Sequence, residues 1–124
     1  MSMSVVEVTD QNFESEVTNS DQPVLIDFWG DWCPPCLQLA PIVDSLAVKY
    51  QGRVKVAKAK LDGARKTAVR LRISALPTLV VLRNGQPVET MIGTQSLDRL
   101  SICLDRHLAS AGVSENPQAS KSGA

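Results

Sequence analysis

Apolar residues along this chain alternate between two spacings, and each change of spacing marks an element. Val24, Leu25, Ile26, Phe28 and Trp29 form an apolar run broken only by Asp27, which predicts a buried strand over 24–29. Leu39, Ile42, Val43, Leu46, Ala47 and Tyr50 then recur at three and four, the period of a long helix that starts after Cys36 and ends at Gln51-Gly52. Pro41 falls inside that helix and predicts a kink, because it lacks an amide donor and crowds the preceding turn. A strand follows over 54–61, a short basic helix over 64–71, and a second buried strand over 78–82. Asn84-Gly85 is a hairpin signal that returns the chain antiparallel over 87–92. At the start, a short strand over 5–8 precedes a helix through about Val17, capped by Thr9 or Asp10. At the end, Ser96 caps a helix with Leu97, Leu100, Leu104 and Leu108 on one face, stopping near Gly112.

The order β-α-β-α-β-α-β-β-α predicts an α/β fold with a mixed sheet and helices on both faces. Crossover helices make strands 5–8, 24–29 and 54–61 parallel, and the hairpin adds an antiparallel edge. With 124 residues, 44% of them hydrophobic, one domain over 5–109 suffices. Residues 1–4 are expected to be flexible, and the small, polar stretch 110–124 to be a disordered tail.

Net charge is zero, so no overall field favours nucleic acid or a membrane. The distribution is nonetheless uneven: eight acids precede the first base, Lys49, and from there thirteen bases face five acids. A fold that interleaves the two halves mixes these charges, so the asymmetry is read as solvated surface. The same applies to Lys60, Arg65, Lys66, Arg70 and Arg72, a basic cluster without interleaved aromatics. No targeting signal or membrane-length apolar run is present, and the expectation is a cytoplasmic protein.

The candidate chemistry sits in Trp32-Cys33-Pro34-Pro35-Cys36. Two cysteines two residues apart can cycle between dithiol and disulfide, and a strand feeding a helix N-terminus suits a nucleophilic thiolate. Cys33, at the helix start, is the expected exposed nucleophile and Cys36, further in, the resolving thiol. Pro34 and Pro35 have no N–H, so the first amides able to face the sulfur belong to Cys36 and Leu37. A thiol pKa moderately below the free value of about 8.5, and not near the ~3.5 of strong oxidants, follows.

Asp27 to Cys36, Ala40-Pro41 within the following helix, Leu76-Pro77-Thr78-Leu79, Arg83-Asn84-Gly85 and Ile92-Gly93 together resemble the thioredoxin family, without an obvious gap from Val5 to Ala109. The resemblance implies a thioredoxin fold, with about five strands flanked by four helices, and a thiol–disulfide oxidoreductase serving cell redox homeostasis. It departs from the familiar pattern in Pro34-Pro35, in Leu37, and in the missing glycine of Arg72-Ile73-Ser74-Ala75. Asp27, a carboxylate among apolar neighbours, becomes the general base for Cys36, with a pKa raised by burial. Lys58 matches the family position that tunes it. Pro77 matches the cis-proline facing the pair, which in the family also keeps metal away. Trp29, Trp32, Pro34, Pro35, Ala75, Leu76, Ile92 and Gly93 become the docking rim, Trp29 mainly as packing. Implied partners are protein disulfides and a thioredoxin reductase, flavin- or ferredoxin-dependent. The chain itself is expected to be a monomer without cofactor, metal, nucleic acid or membrane.

Two rival readings compete with this one. Cys33 and Cys36 with Cys103 and His107 formally offer four zinc ligands, but 66 residues separate the pairs. Cys103 beside an apolar stripe reads better as a small buried hydrophobe, and His107 as a solvated residue. The other rival is a thioredoxin-fold subunit that binds without catalysing. Phosphate-binding glycine loops and hydrolytic triads are absent from the sequence.

Overall fold

The computed structural model describes residues 4–115. Its strands are β1 (Val6–Glu7), β2 (Val24–Trp29), β3 (Lys55–Lys60), β4 (Thr78–Arg83) and β5 (Gln86–Ile92). Its α-helices are α1 (Pro34–Lys49), α2 (Arg65–Arg70) and α3 (Leu97–Glu115). A π-helical segment, Glu14–Thr18, is the fourth helix, and a 3-10 turn, Leu61–Gly63, links β3 to α2. The strands form one sheet in the order β1-β3-β2-β4-β5. β3 runs parallel to β1 and β2, while β4 is antiparallel to β2 and β5 to β4, as the crossover and hairpin signals require.

β2 lies at the centre of the sheet, and its alternation sorts the core into two layers. Leu25 packs with Leu39, Val43 and Leu46 of α1 and Leu100 and Leu104 of α3. Ile26 and Phe28 point the other way, into a cluster with Phe13, Val17, Ala64 and Ala68. Asp27 therefore projects from the Leu25 face, beneath α1. In register it stands beside Lys58 of β3 and Leu79 of β4.

The α1–α3 layer is closed by Tyr50, which is wholly buried at the α1 C-cap. Its hydroxyl lies 2.6 Å from Asp105 Oδ1 and 3.0 Å from the Ser101 carbonyl oxygen of α3. Tyr50→Phe leaves those acceptors without their donor, and we expect a loss of about 1–3 kcal/mol. Urea unfolding measures it, and an unchanged midpoint would show that the hydroxyl adds nothing.

Several local expectations need correction. Asp10 does not cap its own helix. Its carboxylate accepts from the amides of Lys66 and Thr67 and from the Thr67 hydroxyl, so it caps α2 from across the fold. Those contacts hold its pKa below the ordinary carboxylate value. The first helix starts later than read, as the segment Glu14–Thr18, and β1 keeps only Val6–Glu7. α3 runs past Gly112 to Glu115, into the stretch read as a disordered tail. Residues 1–3 and 116–124, the rest of the expected flexible ends, lie outside the described residues. Ser96 does cap α3, its Oγ accepting from the Arg99 amide at 3.1 Å.

The missing glycine before Pro77 also finds its explanation. The amides of Arg72 and Ile73 bond back to the carbonyls of Val69 and Ala68, closing the end of α2 with Arg72 at φ 62°. That left-handed position is usually glycine, and an arginine holds it here. Charge mixing follows the bland reading: Lys55 pairs with Glu16 at 3.0 Å and Lys60 with Asp31 at 3.1 Å, joining the basic half to the acidic one. Among the described residues no helix is long and apolar enough to cross a membrane.

Candidate active site

β2 delivers the chain through Gly30-Asp31-Trp32 to Cys33, the N-cap of α1. Pro34 occupies the first helical position, where its fixed φ fits and its missing donor costs nothing. Cys33 and Cys36 form a disulfide, with Cα atoms 5.3 Å apart. The Cys36 amide donates to Cys33 Sγ at 3.2 Å, as expected. The Leu37 amide instead bonds the Cys33 carbonyl oxygen at 3.2 Å, so one amide and not two faces the sulfur. Cys33 is also less open than expected. At 5% exposure it is nearly as covered as Cys36 at 2%. Pro34, Pro35 and Leu37 stay exposed.

Asp27 is wholly buried, and neither carboxylate oxygen has a hydrogen-bond partner among the described residues. Burial raises its pKa from 3.8 to about 6, against the opposing pull of the Lys58 ammonium. Burial is the larger of the two effects, and the Lys58 Nζ also sits 4.5 Å from the Trp29 ring centroid. Trp29 is half-buried beneath Lys58 and Lys60, a packing role. On α1 the buried face begins with Cys36 and continues through Leu39 and Val43. Asp27, on the Leu25 face of β2, and Cys36, on the buried face of α1, therefore both face the layer between sheet and helix.

Leu76–Pro77 is cis. The Pro77 carbonyl accepts from the Gly93 amide at 2.8 Å, which ties this loop to the end of β5, where Gly93 takes φ 91°. Thr78 Oγ1 donates to the Ala75 carbonyl at 2.6 Å and holds the loop from below. Among the described residues the Leu76 amide and carbonyl take no backbone hydrogen bond. Trp32 and Ile92, each 64% exposed, stand clear of the surface. An open groove of about 250 Å³ is lined by Trp32, Leu61, Ile73, Ser74, Ala75 and Leu76. Leu61, Ile73 and Ser74 escaped the sequence reading, since they come from connections with no period of their own.

Gly30 was missed as well. A Cβ there would stand 2.8 Å from the Trp32 ring, so this glycine lets the indole lie against the backbone. The ring is exposed and can yield. Gly30→Ala is expected to change stability by less than about 1 kcal/mol and to raise KM for a protein disulfide several-fold at little cost in kcat. Steady-state kinetics decides, and an unaltered KM would remove Trp32 from docking.

The zinc reading that joined the two cysteine-containing segments fails. The group of potential ligands around Cys103 and His107 is completed by Glu89, not by Cys33 or Cys36. Cys103 is buried, as expected, but His107 is not solvated: its side chain is 15% exposed and bonds Glu89 at 2.8 Å.

A two-cysteine pair at a helix start, a buried carboxylate behind it and a cis-proline loop invite comparison with known proteins. The thioredoxin family model matches residues 4–106. Thioredoxin 1 of Nostoc sp. is 41% identical over 105 residues, covering 85% of this chain and 98% of that protein. A thioredoxin of Staphylococcus aureus is 40% identical over 106 residues, covering 86% of this chain and all of its own length. The match runs from β1 into α3, and with it the chain belongs to the thioredoxin family, a thiol–disulfide oxidoreductase whose redox-active pair is Cys33–Cys36.

Proposed function

We propose that the protein reduces disulfides of other proteins, with Cys33 as nucleophile and Cys36 as resolving thiol. The Cys33 thiolate attacks a substrate S–S bond, forming a mixed disulfide and releasing one substrate thiolate. Asp27 takes the Cys36 proton. The Cys36 thiolate then attacks Cys33 Sγ, closing the Cys33–Cys36 bond and releasing the second substrate thiolate. Two electrons have passed to the substrate. Lys58 tunes Asp27 by its charge, since its ammonium opposes the burial that raises the carboxyl pKa.

An extended substrate segment is expected to lie in the groove, pairing with the Leu76 backbone before cis-Pro77. Of the expected rim, Trp32, Ala75 and Leu76 line this groove, and Ile92, Gly93, Pro34 and Pro35 are taken to extend the docking surface beyond it. The observation that carries this reading is the unpartnered Asp27 carboxylate buried in the layer that holds Cys36. A purely structural pair has no use for a destabilising acid there. The oxidised protein is recharged by a thioredoxin reductase of the flavin or ferredoxin-dependent kind, and the working form is a cytoplasmic monomer that needs no cofactor of its own.

Reduction of insulin disulfides with dithiothreitol as electron source tests the reading. Acceleration by the intact chain is the expected result. No acceleration, with partner binding retained, would favour the noncatalytic subunit.

A further inference from the structure

Away from the redox pair, one other group among the described residues has the side chains of a metal centre. Glu89 of β5 and Cys103 and His107 of α3 bring a carboxylate oxygen, a sulfur and an imidazole nitrogen within 4.8 Å of one another. The fold builds this meeting from three features. Cys103 and His107 are four residues apart on α3 and so share one face. Glu89 adjoins an irregularity in the β4–β5 ladder, where Val81 pairs with Glu89 but Leu82 with Pro87. The extra residue, Val88, makes a bulge, and bulges re-aim neighbouring side chains. The Arg83 guanidinium donates to the His107 carbonyl at 2.8 Å, fixing the turn of α3 that carries the imidazole.

We propose that Glu89, Cys103 and His107 bind one Zn2+ per chain, with a water as fourth ligand. A mixed sulfur, nitrogen and oxygen set matches a borderline-soft divalent cation. Bond lengths of about 2.0–2.3 Å in a tetrahedron place ligand atoms about 3.3–3.7 Å apart. Reaching that spacing takes closing the widest gap, 4.8 Å at most, by about 1 Å and opening the 2.8 Å His107–Glu89 hydrogen bond by about 0.5 Å, both within reach of side-chain rotation. Beside the cluster, an open groove of about 220 Å³ is lined by Glu89, Met91, Arg99, Ile102, Cys103 and Arg106. It reaches two of the three ligands and leaves space for the water, with His107 closing the site from behind Glu89. Cys103 binds as the thiolate, its proton passing to solvent, and neutral His107 donates through Nε2. With the Glu89 carboxylate, the ligand charges balance those of the metal.

The competitor is Arg106, whose guanidinium pairs with Glu89 at 2.6 Å. Its side chain is 56% exposed, so it can swing into water at the cost of a surface ion pair only. Three metal–ligand bonds outweigh that loss. Without metal, burial and the Glu89 carboxylate push the Cys103 thiol up to about 11, which keeps it protonated and unreactive. Bound metal staples α3 to the edge strand β5, and the inference stands independently of the disulfide chemistry.

The test uses the tag-free full chain with Cys33–Cys36 oxidised, so that Cys103 is its single thiol, titrated anaerobically with Co2+. The expected result is one equivalent bound, with a near-ultraviolet thiolate-to-cobalt band and the visible bands of tetrahedral Co2+, both erased by Zn2+. Cys103→Ser, His107→Gln and Glu89→Gln should each weaken binding at least tenfold while keeping the parent circular dichroism. Any variant that unfolds leaves the decision to the other two. Absence of the thiolate band with several equivalents of Co2+, or its persistence at full affinity in His107→Gln and Glu89→Gln, would overturn the proposal and leave Glu89 as an ion-pair hub.

Discussion

Cys33→Ser is expected to abolish disulfide reduction, by on the order of 10³-fold or more, because no other thiol can take over the attack. Cys36 lies a turn further along α1 on its buried face, and Cys103 lies in the α1–α3 core cluster on α3. The Cys103 thiol is moreover pushed up to about 11, so on the order of 10⁻⁴ of it is ionised at pH 7. Cys33 alone combines the N-cap position, the Cys36 amide aimed at its sulfur, and Trp32 of the groove as its chain neighbour. Cys36→Ser differs in kind: the first attack survives and turnover stops at the mixed disulfide. Single-turnover and steady-state rates on one protein disulfide separate the two variants. Substantial steady-state activity in Cys33→Ser would transfer the nucleophile elsewhere.

Asp27→Asn is expected to stabilise the protein while slowing it. The folded carboxyl has a pKa of about 6 against an ordinary 3.8, so the native state holds its proton more tightly than the unfolded chain. As pH rises from about 4 to about 6 the unfolded chain releases that proton first, and stability falls across that window. Above it the buried charge costs about 3 kcal/mol. Below pH 4 both states are protonated and the cost is gone. The substituted asparagine carries no charge but still buries an amide, so a gain of about 1–3 kcal/mol at pH 8 is expected, with the slope between pH 4 and 6 lost. Urea unfolding across that range is the check. Equal, parallel profiles for both proteins would mean that Asp27 ionises freely.

The kinetic effect has the opposite sign. Without a base, Cys36 must rely on its own ionisation, which even for a free thiol is only a few per cent at pH 7, so resolution of the mixed disulfide should slow at least roughly 30-fold there. The deficit should fade as pH approaches the thiol's own pKa, since the thiolate then forms without help. Stopped-flow resolution of a preformed mixed disulfide reads this directly. A general base and a structural acid part company here, because only the base gives a deficit that depends on pH.

Asp27 was legible in the sequence because it interrupts an apolar run: a charge between Ile26 and Phe28 on a central strand can only be buried. The same contrast of periods revealed α1, β4 and the Asn84-Gly85 turn, where φ values of 55° and 79° realise the signal. What stayed hidden has a common cause, dependence on partners far along the chain. Asp10 carries an ordinary N-cap signal for the residues that follow it, yet it serves Thr67 because the fold brings α2 to it. Leu61, Ile73 and Ser74 line the groove from three non-periodic positions. His107 read as solvated because nothing local indicates Glu89, which reaches it from β5. Cys33 read as exposed from its place at a helix start, but the surrounding fold leaves it 5% exposed.

The order of attack is the centre of this account, and trapping tests it most directly. Reduced Cys36→Ser protein is mixed with a protein disulfide, quenched with acid, digested and examined by mass spectrometry. The prediction is one substrate peptide linked per chain, at Cys33. A link at Cys103, or none while the intact chain reduces the same substrate, would contradict it.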